Sequence, residues 1–252
     1  MRFQGFALVV LGLLASAVRA DDGAAWALID EAIRAHGGAA ALAKCATATL
    51  KTEGIFQGYD RTPVFFHTCE ATMRGADQYR MTVHGKVYEQ SFHIVNILNG
   101  KQGWIKQASD GAQDVRECTP AQLADFQECG YVNWIATLVP LVDRDFDLAL
   151  AGEREHHGRS LVGVRVSSRG RRDATLFFDK QTHLLVKTET RGMAGTGVEG
   201  TVETIRGRYK EFDGVRLPIS WEVYYNGRCL WSHHVLEYQL ADEPAPGAFA
   251  KP

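Results

Sequence analysis

A curved antiparallel sheet of about 10 to 12 strands, bent into a half-open β-barrel under a helical lid, is the α+β fold this sequence predicts. Three observations carry that expectation. From Leu161 to Leu240 the chain alternates short strand-like runs with tight turns at Ser168-Arg169-Gly170, Asp179-Lys180-Gln181-Thr182, Gly195-Thr196-Gly197, Asp213-Gly214 and Asn226-Gly227. Strands joined by turns this short pair antiparallel, because a parallel pair needs a crossover of a dozen or more residues. Apolar residues recur with period two, which places each set on a single face. Two apolar segments with helical spacing remain to cover that face.

Taken in order, residues 1–20 read as an export signal: Arg2, an apolar run from Phe6 to Leu14, and Val18-Arg19-Ala20 before Asp21-Asp22. That run is far short of the roughly 20 residues a membrane span requires. The sequence thus predicts cleavage near Ala20, periplasmic localisation, no permanent membrane anchor, and one domain over residues 21–252. Losing Arg2 and Arg19 takes the formal net charge from −2 to −4. This mild acidity argues against nucleic acid as a partner.

Trp26, Ile29 and Ile33 form one helical stripe, ended by Gly37-Gly38. A short helical turn through Ala39 to Lys44 follows. Strands are expected at Ala46–Phe56, Val64–Met73, Gln78–Val83, Val87–Leu98 and Gly103–Gln107. Thr119-Pro120-Ala121-Gln122 is a helix start with a capping box, and the helix should run to Val139 before Pro140 stops it. It carries Phe126, Tyr131, Trp134 and Leu138 on one stripe. Asp143 to Asp147 reads as a polar connection, after which strands resume. There Val162, Val164 and Val166 are expected to share a face, as are Leu176 and Phe178, and likewise Leu184 and Val186. Ile219, Trp221 and Val223 form a further set. In the last strand, Leu230, Leu236, Tyr238 and Leu240 are expected to face one way.

No catalytic pattern stands out. There is no Gly-x-Ser-x-Gly elbow, and the glycine-rich stretch from Gly192 to Gly200 precedes a strand rather than a helix, so it is no phosphate cradle. Neighbouring histidines such as His156-His157 and His233-His234 point to opposite faces of a strand and do not chelate together. Neither a metal site nor a cofactor is expected. Five cysteines leave at least one unpaired; Cys118 and Cys129, about 16 Å apart along a helix, are too distant to bridge, and buried free thiols are the expectation.

The turns and strand edges resemble the LolA/LolB-type superfamily of exported lipoprotein carriers. The likeness lies in Ile33-Arg34-Ala35-His36-Gly37-Gly38 with Ala41-Leu42-Ala43-Lys44, in the run from Phe177 to Lys187, in the run from Tyr209 to Pro218, and in the ending Phe249-Ala250-Lys251-Pro252. The resemblance implies a half-open barrel with a helical lid and transient binding of acyl chains. The expected function is therefore a non-enzymatic binding or carrier role for lipid or lipoprotein acyl chains. The lining residues would be Phe126, Tyr131, Trp134 and Leu138 from the lid, with Leu176, Phe178, Ile219, Trp221 and Val223 from the sheet. The rival is a ligand-free envelope module with a filled barrel that docks another protein; a hydrolase is the third reading.

Overall fold

The computed structural model describes the backbone of residues 10–58, 64–109, 111–241 and 243–252, with side chains from residue 22 onward in those ranges. All of residues 1–9 and the side chains of residues 10–21, where the export signal is expected, lie outside the described residues. Within the described residues, no helix is long and apolar enough to cross a membrane.

Helix α1 (Val10–Ala35) and the single turn α2 (Ala39–Leu42) precede six strands: β1 (Thr47–Phe56), β2 (Phe65–Arg74), β3 (Gln78–Val87), β4 (Gln90–Asn99), β5 (Gln102–Ser109) and β6 (Ala112–Glu117). Helix α3 (Pro120–Ala136) leads to β7 (Asp147–His156), β8 (Arg159–Ser167), β9 (Ala174–Asp179), β10 (Leu185–Gly192) and β11 (Gly200–Arg206). A small hairpin, β12 (Tyr209–Phe212) and β13 (Val215–Pro218), precedes β14 (Ser220–Tyr225) and β15 (Arg228–Ala241).

Thirteen strands form one open antiparallel sheet in the order β6-β5-β4-β3-β2-β1-β15-β14-β11-β10-β9-β8-β7, and β12-β13 stand apart. The half-barrel fold class holds, with more strands than the expected 10 to 12. The additions have a physical cause. Strand β6 is an edge strand of mostly polar, exposed residues and shows little apolar alternation. Part of β7 is polar for the same reason.

The strand order also explains the lid. Strands β6 and β7 are the two edges of the sheet, so the chain between them must cross its open side, and α3 lies on that crossing. The capping box forms as read: Thr119 Oγ1 accepts from Gln122 N at 3.3 Å, and Gln122 Oε1 accepts from Thr119 N at 3.1 Å. The helix stops at Ala136, three residues earlier than expected, because Leu138 adopts φ 64° and turns the chain into a 3₁₀ turn over Val139–Asp143.

Helices and sheet enclose one main core. Ala25, Ile29, Ala32 and Ile33 of α1 meet Tyr131 and Ile135 of α3, Leu138, and Leu148, Val164, Val166, Ala174, Leu176, Phe178 and Leu185 of β7–β10. The opposite face carries smaller clusters: Leu161 with Phe177 and Val186, and Val95 with Ile97, Trp104 and Phe249 of the tail. Two expected faces are therefore reversed. An irregularity between Leu185 and Lys187 sends Leu185 into the main core and Val186 to the other side. In β15 the pairing slips between Glu237 and Val235, so Leu236 is displaced to 57% exposure while Trp231, His233 and Val235 share the inner face with Tyr238 and Leu240.

Candidate functional site

The space beneath the helices is filled. Leu138, Leu176 and Phe178 are each 0% exposed, and Tyr131 is buried in the same cluster, with Trp134 packed against it. Trp134 also lies 6.4 Å from the Phe146 ring. Phe126 is half-buried on α3, and Ile219 is buried just before β14. Of the residues expected to line a pocket, Trp221 and Val223 lie elsewhere, on the inner face of β14, where α1 and α3 make little contact.

That second region is built by register. Directly opposed residues of an antiparallel pair share a face, so Arg206, Trp221, His233, Gly54, His67, Gly85 and Phe92 form one inward row across β11, β14, β15, β1, β2, β3 and β4. The adjacent inward row is Thr204, Val223, Trp231, Phe56 and Phe65. Two glycines in the first row leave no side chain over the strand. At Gly85 the Phe92 ring takes that room, and a Cβ there would stand 2.2 Å from its Cζ.

The aromatic rings form a continuous chain. Phe56 lies 4.4 Å from Trp231 and 5.0 Å from Phe65; Phe65 meets Phe92 edge-on at 4.9 Å; Trp221 stacks on His233 at 5.1 Å. Phe56 is 2% exposed and buried beneath the others, whereas Trp221, Val223, Trp231, Phe65 and Phe92 stay half-buried. The result is an open aromatic trough continuous with a second cluster of Leu50, Cys69, Ala71 and Val83 with Met73, Met81 and Tyr238.

Its two histidines are neutral. Burial pulls the His233 imidazole down to about 3, and His67 beside it is also lowered by burial. The two rings lie 4.9 Å apart, and Thr52 Oγ1 is 3.4 Å from His233 Nδ1. His67 is 4% exposed, and neither of its ring nitrogens has a hydrogen-bond partner among the described residues. A neutral imidazole offers one donor and one acceptor.

A groove of about 830 Å³ crosses the same strands on the outward face. It is lined by the outward rows Ser232, Ile55, Phe66, Lys86, Ser91 and His234, Glu53, Thr68, His84, and by Gly54, His67, Gly85, Phe92 and His233 of the inward row. The inward rings Phe56, Phe65, Trp221 and Trp231 do not line it.

Among the described residues, no group of three or more His, Cys, Asp or Glu side chains is placed to hold a metal ion. All five cysteines are unpaired. Cys45 and Cys69 fit the expected buried thiols, and burial pushes each up to about 11; Cys118 and Cys229 are half-buried and Cys129 is exposed at its surface.

Sequence reading singled out Trp221 and Val223 but not Phe92, His67, His233 or Arg206 as site residues. The signal that joins them is cross-strand register, which no local pattern in the chain encodes.

An open sheet crossed by a strapping helix defines a half-barrel with a helical lid. Solved structures share that fold. The chain matches a Vibrio parahaemolyticus domain assigned as outer membrane lipoprotein-sorting, with a TM-score of 0.52 at 8% identity over 91% of this chain and 97% of that one. A LolA superfamily protein from Nitrosomonas europaea matches with a TM-score of 0.55 at 10% identity, over 90% and 97%. A DUF1329 family protein from Desulfovibrio piger gives 0.53 at 9% identity, over 91% and 97%. No protein-family model matches the chain, and no curated protein sequence does. At such identities the likeness is one of fold, and at that level the expected resemblance to LolA-type proteins holds.

Proposed function

We propose that this protein is a periplasmic carrier that holds a hydrophobic ligand, lipid or the acyl chains of a lipoprotein, on the inner face of its sheet. The observation that carries this reading is the aromatic trough. Large apolar side chains that could be fully covered are instead left half-buried along two adjacent rows, and exposed apolar surface of that kind marks a binding region. Lipoprotein sorting, the role named for the Vibrio parahaemolyticus neighbour, is one chemistry that fits this ligand class. The lining set is Trp221 and Val223 with Phe65, Phe92 and Trp231. Tyr131, Trp134, Leu138, Leu176 and Phe178 belong to the packed core beside it, while Phe126 is half-buried on α3 and Ile219 is buried just before β14.

The packed space under α1 and α3 also fits the rival, a filled module that binds a protein partner, so the two readings need a direct test. Protein purified from its own host is expected to carry extractable lipid. Trp221→Ala should weaken a fluorescent fatty acid about tenfold or more, the worth of one buried aromatic contact, while Trp134→Ala stays within about twofold. Lipid-free protein that binds no fatty acid would leave the module reading in place of the carrier.

A further inference from the structure

Arg206 stands at the end of the inward row, directly opposite Trp221, and no ion pair balances its charge among the described residues. Among the described residues both of its hydrogen bonds leave from Nη1, to Thr188 Oγ1 at 3.4 Å and to Thr204 O at 3.5 Å, and neither acceptor is charged. Tyr209 and Tyr238 border it, but their phenols donate to Leu185 O at 2.6 Å and to Pro218 O at 2.7 Å, and burial holds both phenols neutral. The end of α1 is close by, and three of its carbonyls already accept within the chain: Ala32 O from His36, Ile33 O from Gly38 N and Arg34 O from Gly37 N. Arg206 is half-buried, and its guanidinium has five donors in a planar fork suited to two oxygens of one anion.

The geometry points to Arg206 as the subsite for the anionic head group of an amphipathic ligand, a carboxylate or phosphate, whose apolar chain runs along the row through Trp221 and His233 toward Phe92. The inference rests on the carrier reading above and adds the chemical class of the head. It also orients the ligand, with its head on the β11 side of the trough and its tail over β1–β4.

The test is competition of palmitate and of hexadecan-1-ol against a fluorescent fatty acid at pH 7, on the full chain and on Arg206→Gln and Arg206→Lys. Thermal unfolding of each variant is followed with and without sodium phosphate. Palmitate should bind at least about tenfold tighter than the alcohol to the native chain, the worth of a charge-assisted hydrogen bond. Arg206→Gln should erase that preference and leave alcohol binding within twofold, and Arg206→Lys should keep part of it. Equal affinities for acid and alcohol in the native chain would overturn the subsite while sparing the carrier reading. Binding of neither probe would overturn both. Phosphate stabilising the native chain but not Arg206→Gln, with no acid preference, would assign the site to a free anion and overturn the head-group inference. An Arg206→Gln chain that does not fold leaves Arg206→Lys to decide: an undiminished acid preference there sustains only a charge requirement of the kind proposed, and a preference equally absent from both folded proteins rejects it.

Discussion

At the scale of single residues, buried imidazoles set how the protein responds to acid. His36 is 5% exposed, donates from Nδ1 to Ala32 O at 2.8 Å, and is pulled down to about 4, chiefly by burial and further by Arg206 and Arg216. Its folded value lies below the unfolded 6.5, so the unfolded chain takes up the proton first. The stability tied to the neutral ring is complete above about pH 6.5 and is lost as pH falls toward 4. His233, lowered to about 3, acts in the same direction. For His36 the loss is on the order of 3 kcal/mol once fully developed. Urea unfolding should show stability falling from pH 6.5 to pH 5, above the range of ordinary carboxylates, and His36→Asn should flatten that fall. A native profile that is level over this window would contradict the assignment of neutral, buried histidines.

At the scale of elements, strand register decides what faces inward. The period-two alternation located most strands, and the capping box at Thr119 located the start of α3. Two local irregularities escaped that reading. The slip near Leu236 and the one near Leu185 each reverse the faces beyond them, and both are features of cross-strand pairing. Gly54 shows how tightly β1 and β15 are held: a Cβ there would stand 1.8 Å from Ser232 O, a backbone atom that cannot swing aside. Gly54→Ala should therefore destabilise the fold by roughly 1–3 kcal/mol or more, read as a lower urea midpoint. A change within about 0.5 kcal/mol would show that the two strands are less closely apposed than described.

At the scale of the whole molecule, the fold class was legible because antiparallel turns, alternation and a helix between two sheet halves are all local signals. The site was legible only in part. The aromatic stripe of α3 looked like a pocket wall, but a helix forced to cross from one sheet edge to the other needs that stripe for its own packing, and Leu138, Leu176 and Phe178 are consumed in it. The trough beside it depends on residues far apart in sequence, Phe65 and Trp231 among them, brought together by the pairing of β1 with both β2 and β15. The five tryptophans divide cleanly between these regions: Trp26 and Trp134 pack against the helix core, Trp104 lies on the outward face, and Trp221 and Trp231 line the trough. Quenching of tryptophan fluorescence by a fatty acid brominated along its chain requires near contact, so it reports which region holds the ligand. Quenching is expected in a variant that keeps only Trp221 and Trp231 and should vanish in one that keeps only Trp26, Trp104 and Trp134. The reverse pattern would place the chain beneath the helices and contradict the trough as the binding surface.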